Sequence, residues 1–234
     1  MAEHGWTFRK DDAAIVGDHL FDLAFLHQIY TKADPTYSGR VTVPILWDKH
    51  TNTIVSNESS EIIRMFNTAF DAIGATAGDY YPESLRSDTD RLNDRIYHTV
   101  NNGVYKAGFS TTQAAYEAAV YPLFETLDWL EDRLGKRRFL IGDTPTEADW
   151  RLFPTLYRFD SIYVGHFKCS IKRLIDYPNL WAYARDLYQW PGITQTVNME
   201  HARRHYYESH DMINPHRITP VSPVIQWHDP HGRN

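Results

Sequence analysis

Residues 40–70 constrain the fold of this chain more than any other stretch. The first part of the stretch carries apolar residues at every second position, which is the pattern of a β-strand. These residues are Val41, Val43, Ile45 and Trp47. A polar turn at residues 48–52 separates this strand from a shorter one at 53–55. Helix-starting residues then precede an apolar pattern of helical period that continues to Phe70. The sequence therefore predicts two strands joined by a hairpin turn and followed by a helix.

Pro44 limits what the first strand can do. Proline lacks a main-chain donor, so within sheets it is confined to edges and bulges, and the bond before it can be cis. Further along, Glu58 and Ser59 stand where the predicted helix begins. The free N–H groups and the hydroxyl there suit a carboxylate, whereas the Glu58 side chain suits an ammonium group. An ordinary helix cap is the alternative, and these residues alone leave it open.

Composition excludes several classes of protein. The chain has 234 residues with 24 Lys and Arg, 30 Asp and Glu, and a formal net charge of -6. Nothing in this charge balance suggests the basic face that nucleic-acid binding needs, and the sequence contains no apolar stretch of membrane-spanning length. Its single cysteine, Cys169, rules out a disulfide within the chain, and the first residues lack the apolar core of a signal peptide. We therefore expect a cytoplasmic protein without nucleic-acid or membrane partners.

The pattern along the chain predicts two domains and a mostly α, α+β fold. A helix is expected at residues 18–33, before the strand–turn–strand–helix stretch. Gly74, Gly78 and Pro82 mark a linker at 74–81, which separates a domain at 1–73 from a helical domain at 82–234. In the second domain we expect helices at 83–102, closed by Asn102 and Gly103, and at 111–135, 178–189 and 198–208. A further helix should start at Thr146, with Asp149 as its capping partner, and an irregular tail should follow residue 214.

Several longer motifs resemble those of one family. They are Gly5-Trp6-Thr7-Phe8, Arg40-Val41-Thr42-Val43-Pro44, Ser56-Asn57-Glu58-Ser59, Asn101-Asn102-Gly103-Val104-Tyr105-Lys106-Ala107-Gly108-Phe109, His166-Phe167-Lys168-Cys169 and His205-Tyr206. Over almost its whole length the chain resembles the glutathionyl-hydroquinone reductases, the Xi class of glutathione transferases. The resemblance implies a partial thioredoxin-like portion followed by an all-helical glutathione-transferase C-terminal domain. It also implies a homodimer formed largely by the helical domain.

The resemblance assigns roles to ten residues. Glutathione, as co-substrate, would contact Trp6, Arg40, Val41, Thr42, Val43, Glu58 and Ser59. Of these, Glu58 and Ser59 would bind its γ-glutamyl end. Tyr105 would give or take a proton at the quinol oxygen, while Tyr163 and Tyr206 would complete the aromatic pocket. A phenol suits this task because it is both donor and acceptor. Core packing with a satisfied hydroxyl is the alternative for each tyrosine.

The reaction that the resemblance implies is the deglutathionylation of glutathionyl-hydroquinones. A cysteine thiolate attacks the glutathione sulfur, hydroquinone leaves, and a second glutathione resolves the mixed disulfide. In the family this cysteine belongs to a Cys-Pro-Trp/Phe-Ala motif, which this sequence lacks. We therefore expect an N-terminally shortened chain without the first strand, helix and second strand of the thioredoxin-like domain. Activity should then be weak or absent, with Cys169 a buried, inert thiol.

Three further expectations concern the alternative function, self-association and metal binding. The alternative function is a non-catalytic module that binds glutathione or quinol, or that dimerises. The strand containing Val43 would lack its neighbour, so the chain should self-associate through that edge. No metal is expected, because His201 and His205 have the spacing of a zinc motif without its glutamate.

Overall fold

A computed structural model describes residues 5–8, 16–222 and 224–233 of the chain. These residues form two compact units, Met1–Asp79 and Tyr80–Asn234. The division between the units falls within the stretch at 74–81 that the sequence marks as a linker. The parts of the two predicted domains at 1–4, 9–15, 223 and 234 lie outside the described residues. Within the described ranges, no helix combines the length and apolar character that crossing a bilayer requires.

The first unit contains a small antiparallel sheet and two α-helices among its described residues. In chain order these elements are helix α1 (His27–Ala33), strands β1 (Leu46–Asp48) and β2 (Thr53–Ser56), and helix α2 (Ser59–Thr68), followed by a 3-10 turn at Asp71–Ile73. The two strands pair with each other, and Trp47 lies opposite Ile54. The predicted turn, second strand and helix are confirmed, because the polar residues at 48–52 reverse the chain and Asn52 takes a positive φ of 55°.

The predicted first strand is too long. Residues 40–45 lie outside the sheet, and β1 begins only at Leu46. The Val43–Pro44 peptide bond is cis, and Pro44 has no N–H to give to a ladder. Tyr30, rather than a neighbouring strand, supplies the hydrogen-bond partners of Thr42. The expectation that Val43 lies in an apolar edge strand is therefore wrong, and with it the structural reason to expect association through that strand.

The helix predicted at 18–33 begins nine residues late. The Asp18 carboxylate accepts hydrogen bonds from the N–H groups of Leu20, Phe21 and Leu23, which form a turn instead of a helix. Asp22 takes a positive φ of 56°, which a right-handed helix excludes. The apolar residues before His27 therefore lie in a folded loop that buries Leu26, although their spacing is helical. Only His27–Ala33 forms a helix.

The described part of the second unit consists of helices joined by turns and irregular segments. Its α-helices are α3 (Arg86–Ile96), α4 (Gly103–Gly108), α5 (Gln113–Leu134), α6 (Glu147–Arg158), α7 (Val164–His166), α8 (Pro178–Tyr188) and α9 (Met199–Ser209). Two π-helical turns, Tyr97–Asn101 and Phe159–Tyr163, continue α3 and α6, and 3-10 turns lie at Glu83–Leu85, Leu174–Asp176 and Thr194–Thr196. The predicted helices at 111–135, 178–189 and 198–208 are confirmed within one or two residues.

Asn102 and Gly103 do not close a helix, contrary to the sequence-based expectation. Asn102 keeps right-handed helical angles, with φ at -91° and ψ at -23°. The π turn before it absorbs the extra residue, and the N–H of Lys106 donates to the Asn102 carbonyl at 3.0 Å. The helical path therefore continues into α4. This continuation puts Tyr105 on a helix instead of on a loop.

The buried Asp149 carboxylate anchors the start of α6 and joins it to two other parts of the unit. It accepts hydrogen bonds from the N–H of Thr146 at 2.7 Å and from the Thr146 hydroxyl at 2.8 Å. It also accepts from the N–H of Leu140 at 2.9 Å and from the Tyr183 hydroxyl at 2.7 Å. The predicted Thr146–Asp149 capping pair is confirmed. Its carboxylate also holds the preceding loop and helix α8, which the sequence pattern does not predict.

The tail after α9 is irregular, as predicted, but it packs against the rest of the second unit. Trp227 is 8% exposed, and its ring packs against Tyr157, Trp181 and Tyr188. The Gln189 side chain donates to the Trp227 carbonyl at 2.9 Å. These contacts hold the tail against α6 and α8.

Replacing Asp149 with Asn should destabilise the second unit by about 3 kcal/mol, because an amide cannot accept four hydrogen bonds in a buried site. Urea unfolding followed by far-UV circular dichroism measures the change. Asp143→Asn is the matched control, since Asp143 is exposed in the same loop. Equal stability of the two variants would contradict the anchoring role of Asp149.

Candidate functional site

Three of the residues singled out by the sequence meet in the second unit. Tyr105 lies on α4, Tyr163 ends the second π-helical turn, and Tyr206 lies on α9. The Tyr206 hydroxyl is hydrogen bonded to the Tyr105 hydroxyl and, at 2.9 Å, to the Tyr163 hydroxyl. We call these three residues the tyrosine cluster. Residues that are 101 and 43 positions apart in sequence are thus linked through their phenolic oxygens.

Aromatic rings enclose the tyrosine cluster. Phe167 stacks on Tyr163 with ring centroids 5.5 Å apart, and it also packs against Tyr105 at 5.4 Å. Phe109, one helical turn after Tyr105 on the same face, lies 5.3 Å from Phe167 and is 41% exposed. A Cβ atom on Gly108 would approach the Phe167 ring to 2.2 Å, so only glycine allows α4 to pack this closely. The cluster therefore has an aromatic wall that could accept a flat ring.

Exposure distinguishes the members of the cluster. Tyr163 is 1% exposed and Tyr206 is 4% exposed, whereas Tyr105 is only half-buried. Within the second unit, a ligand can reach Tyr105 and its neighbour Phe109 more readily than the two deeper tyrosines. Tyr105 is thus the member best placed to contact a ligand.

The hydrogen bonds within the cluster have a chemical direction. A phenol has one proton to donate, so Tyr206 can donate to only one of its two partners while it accepts from the other. When Tyr163 donates to Tyr206 and Tyr206 to Tyr105, the Tyr105 proton is free for an external acceptor. When the order is reversed, the Tyr105 oxygen has a lone pair free for an external donor. The cluster can therefore present either a proton donor or a proton acceptor at Tyr105.

Burial keeps the deep tyrosines protonated. It raises the pKa of Tyr163 well above its ordinary value, and Tyr206 and Tyr105 add to the effect. Burial and the neighbouring Tyr105 likewise raise the pKa of Tyr206. Burial lowers the pKa of Arg158, but the nearby tyrosines raise it by more, so its guanidinium remains protonated. Tyr163 and Tyr206 are therefore hydrogen-bond donors at neutral pH, not phenolates.

A buried pair of histidines supports the cluster from behind. His166 Nε2 lies 3.1 Å from His210 Nδ1, and the His210 ring packs against Tyr206 at 5.5 Å and Phe109 at 5.1 Å. Burial lowers the pKa of both histidines to about 4, so both are neutral near pH 7. One ring then donates to the other. This contact ties the end of α9, which carries Tyr206, to α7, which directly follows Tyr163.

Cys169 is poorly suited to act as a nucleophile. Its side chain is 0% exposed, and its Sγ lies 3.8 Å from the Phe167 carbonyl oxygen. Burial raises the pKa of the thiol to about 12, in spite of the opposing effect of Lys168. The thiolate, which is the reactive form, is therefore scarce at neutral pH. The expectation that this cysteine is buried is confirmed, and its inertness stays a prediction.

The residues predicted to bind glutathione lie in the first unit. The Trp6 carbonyl accepts from the Leu26 N–H at 3.0 Å, so the half-buried Trp6 is held against the loop before α1. Glu58 caps the start of α2 through its main chain, and its side chain makes no capping hydrogen bond. Ser59 is the first residue of that helix, and both side chains are exposed. The carboxylate, the hydroxyl and the helix N-terminus are thus available to a ligand.

Residues 40–43 differ in exposure and in the hydrogen bonds of their main chain. Arg40 is exposed, and its carbonyl accepts from the Tyr37 hydroxyl at 2.6 Å. Val41 is half-buried, and Val43 is 51% exposed. The Thr42 main chain is engaged on both sides by Tyr30, with its N–H 3.2 Å and its carbonyl 2.7 Å from the phenolic oxygen. Val43 alone of the four directly precedes the cis bond.

Sequence reasoning missed several supporting residues. The sequence spacing could have pointed to Phe109, because it lies four positions, about one helical turn, after Tyr105. His210 and Tyr30 have no such signal, since their partners lie 44 and 12 positions away. Tyr30 counts only as an apolar member of the first helical pattern.

Protonation of the histidine pair should make the protein acid-sensitive. The unfolded chain binds protons near the ordinary histidine pKa of about 6.5, whereas the folded pKa values are about 4. Stability should therefore fall as the pH drops from 6.5 towards 4. His166→Gln should flatten this dependence of the urea midpoint on pH, although it costs stability at pH 7. The exposed His216→Gln should leave the slope unchanged, and identical slopes for both variants would contradict the account.

Comparison with known proteins agrees with these observations. Residues 113–186 match the family model described as glutathione S-transferase, C-terminal domain. The chain is 58% identical over 234 residues to glutathionyl-hydroquinone reductase YqjG from Escherichia coli K12. This match covers 100% of this chain and 71% of that protein. It is 56% identical over 224 residues to glutathionyl-hydroquinone reductase PcpF from Sphingobium chlorophenolicum, covering 96% of this chain and 71% of that protein.

Solved structures show the same relationship. The glutathione-bound structure of YqjG matches with a TM-score of 0.97 over 100% of this chain and 76% of that chain, at 58% identity. The Xi-class glutathione transferase from Natrialba magadii matches with a TM-score of 0.96 at 45% identity, over 100% of this chain and 71% of that chain. The fold is therefore that of a glutathione transferase, with a thioredoxin-like first part and a helical C-terminal domain. The chain belongs to the glutathionyl-hydroquinone reductase family of the glutathione transferase superfamily.

Proposed function

We propose that this chain acts in the glutathione-dependent reduction of glutathionyl-hydroquinones and that its tyrosine cluster binds the hydroquinone oxygen. The observation that carries this proposal is the hydrogen-bonded set of three phenols, in which Tyr105 alone is half-buried. Membership of the family and the names of the relatives support it further. The enclosing rings of Phe109 and Phe167 suit an aromatic substrate.

The proposed reaction is a reduction by two thiols. A thiolate attacks the glutathione sulfur of the substrate, so that an S–S bond forms and the C–S bond to the ring breaks. The electrons of the C–S bond pass to the ring carbon, which takes up a proton as hydroquinone leaves. A second glutathione thiolate then attacks the mixed disulfide, which gives glutathione disulfide and restores the first thiolate. Tyr105 would hold or move the proton at the phenolic oxygen while electrons shift through the ring.

This chain contributes binding and proton transfer to that reaction. Cys169, its single cysteine, is ill suited to supply the attacking thiolate because the thiol is buried with a raised pKa. We therefore name no residue of this sequence as the source of the attacking thiolate. Tyr105 would bind the hydroquinone oxygen, and Tyr163 and Tyr206 would set the direction of the Tyr105 hydrogen bond.

Glutathione binding is proposed for the first unit. The exposed Glu58 carboxylate would receive the ammonium of the γ-glutamyl group, and Ser59 with the N-terminus of α2 would receive its carboxylate. Val43, beside the cis bond, would pair its main chain with the cysteinyl residue. Arg40, Val41, Thr42 and Trp6 would complete the contacts, with Trp6 packing on the ligand.

Two broader assignments follow from the resemblance. We propose a homodimer formed by the second unit, for which sedimentation equilibrium should give twice the chain mass of 27.3 kDa. We also propose that the protein works in the cytoplasm, since a single cysteine suits a reducing compartment.

Tyr105→Phe should weaken the binding of a glutathionyl-hydroquinone about tenfold, because it removes the hydroxyl that meets the ligand and leaves the ring in place. Calorimetric titration with glutathionyl-hydroquinone measures the loss. Tyr97→Phe is the matched control, since Tyr97 lies eight positions earlier and is 45% exposed. Equal affinity of Tyr105→Phe and the wild-type chain would contradict the role of Tyr105.

Glu58→Ala should weaken glutathione binding at least tenfold, because the γ-glutamyl ammonium would lose its carboxylate partner. The same titration with glutathione alone tests this half of the proposal. Glu125→Ala removes an exposed carboxylate from α5 and should bind glutathione as the wild-type chain does. Loss of binding in both variants, or in neither, would count against the assignment of Glu58.

A further inference from the structure

The hydroxyl of Tyr30 occupies a central position in the first unit. Tyr30 is 2% exposed, and its phenolic oxygen lies 2.7 Å from the Thr42 carbonyl and 3.2 Å from the Thr42 N–H. The Asn57 side-chain amide donates to the same oxygen at 3.2 Å. A phenol can donate once and accept twice, so these three contacts fill its capacity.

This arrangement leaves Val43 as the residue whose main chain a ligand can use. Both main-chain polar groups of Thr42 are satisfied by one side chain. Val43 follows directly, is 51% exposed, and its N–H and carbonyl have no partner among the residues that the structure describes. An extended ligand that pairs with this segment would therefore meet Val43 rather than Thr42.

The same hydroxyl connects Val43 with the start of α2. Asn57 directly precedes Glu58, which caps α2, and Ser59, which begins it. Asn57 also approaches the Thr42 hydroxyl at 3.5 Å. Tyr37 strengthens the arrangement, because its ring packs on Tyr30 at 4.9 Å and its hydroxyl donates to the Arg40 carbonyl. One buried oxygen thus fixes the separation between two parts of the chain that are 15 residues apart.

We infer that Tyr30 is a positioning residue for glutathione. Through Thr42 and Asn57 it holds the Val43 main chain and the N-terminus of α2 in a fixed arrangement, so that one γ-glutamyl-cysteinyl unit can contact both. Tyr30 does not touch the ligand, and it acts through the two segments that do. The inference rests on the proposed function, since it takes glutathione as the ligand of these segments.

Tyr30→Phe tests this role, because it keeps the buried ring and removes only the hydroxyl. Two probes separate positioning from general disorder. Glutathione spans both segments, whereas L-glutamine carries only the α-ammonium and α-carboxylate that would meet Glu58, Ser59 and the start of α2. NMR-detected titrations of the whole chain should show glutathione affinity reduced at least about tenfold, with L-glutamine affinity within about twofold of wild type. Tyr121→Phe, at a position that is 54% exposed, should leave both affinities unchanged.

Four results would overturn the inference. Wild-type affinity for glutathione in Tyr30→Phe would show that the hydroxyl is not needed. An equal loss for both probes would show a general structural effect. If Tyr30→Phe does not fold, Asn57→Ala removes one link while retaining the hydroxyl, and it should show the same selective loss, so wild-type affinity in that variant would also refute the role. Failure of the wild-type chain itself to bind glutathione would refute the proposed function together with this inference.

Discussion

The second unit depends on one buried carboxylate. Asp149 has no solvent to stabilise its charge, so its four hydrogen bonds must do so. These hydrogen bonds fix the start of α6 relative to the loop at Leu140 and to Tyr183 on α8. Because Tyr163 lies at the end of the helical path that α6 begins, its position follows from this anchor. The Thr146–Asp149 capping pair thereby sets the position of Tyr163, which lies 14 residues after Asp149.

The tyrosine cluster joins three helical segments through two hydrogen bonds. Each phenol lies among aromatic rings that would otherwise make a conventional core. The hydroxyls satisfy each other, which removes the cost of burying them singly. Because Tyr206 bonds to both neighbours, the donor or acceptor state of Tyr105 depends on the deep members of the cluster. The same hydrogen bonds therefore hold the helical segments together and set the proton position at Tyr105. The histidine pair stabilises this arrangement.

Local signals in the sequence predict much of this structure. The Thr146–Asp149 pair, Pro178 and the polar turn at 48–52 mark their elements correctly, because capping and turn formation depend on neighbouring residues. The predictions are wrong at 18–26, because Asp18 accepts hydrogen bonds from three main-chain amides, and at 40–45, because Tyr30 takes the place of a strand partner. Such competing side-chain contacts leave the apolar pattern unchanged, so periodicity cannot detect them. The tyrosines could be selected only through motif resemblance, since the contacts between them span up to 101 positions.

The most direct test of the account is a crystal structure of this chain with a glutathionyl-hydroquinone bound. The buried, protonated thiol of Cys169 should not attack the substrate, so the ligand should remain intact in the crystal. The account predicts a quinol oxygen within hydrogen-bond distance of the Tyr105 hydroxyl, about 2.6–3.2 Å away, with the ring against Phe109. A quinol ring bound away from all three tyrosines would contradict it.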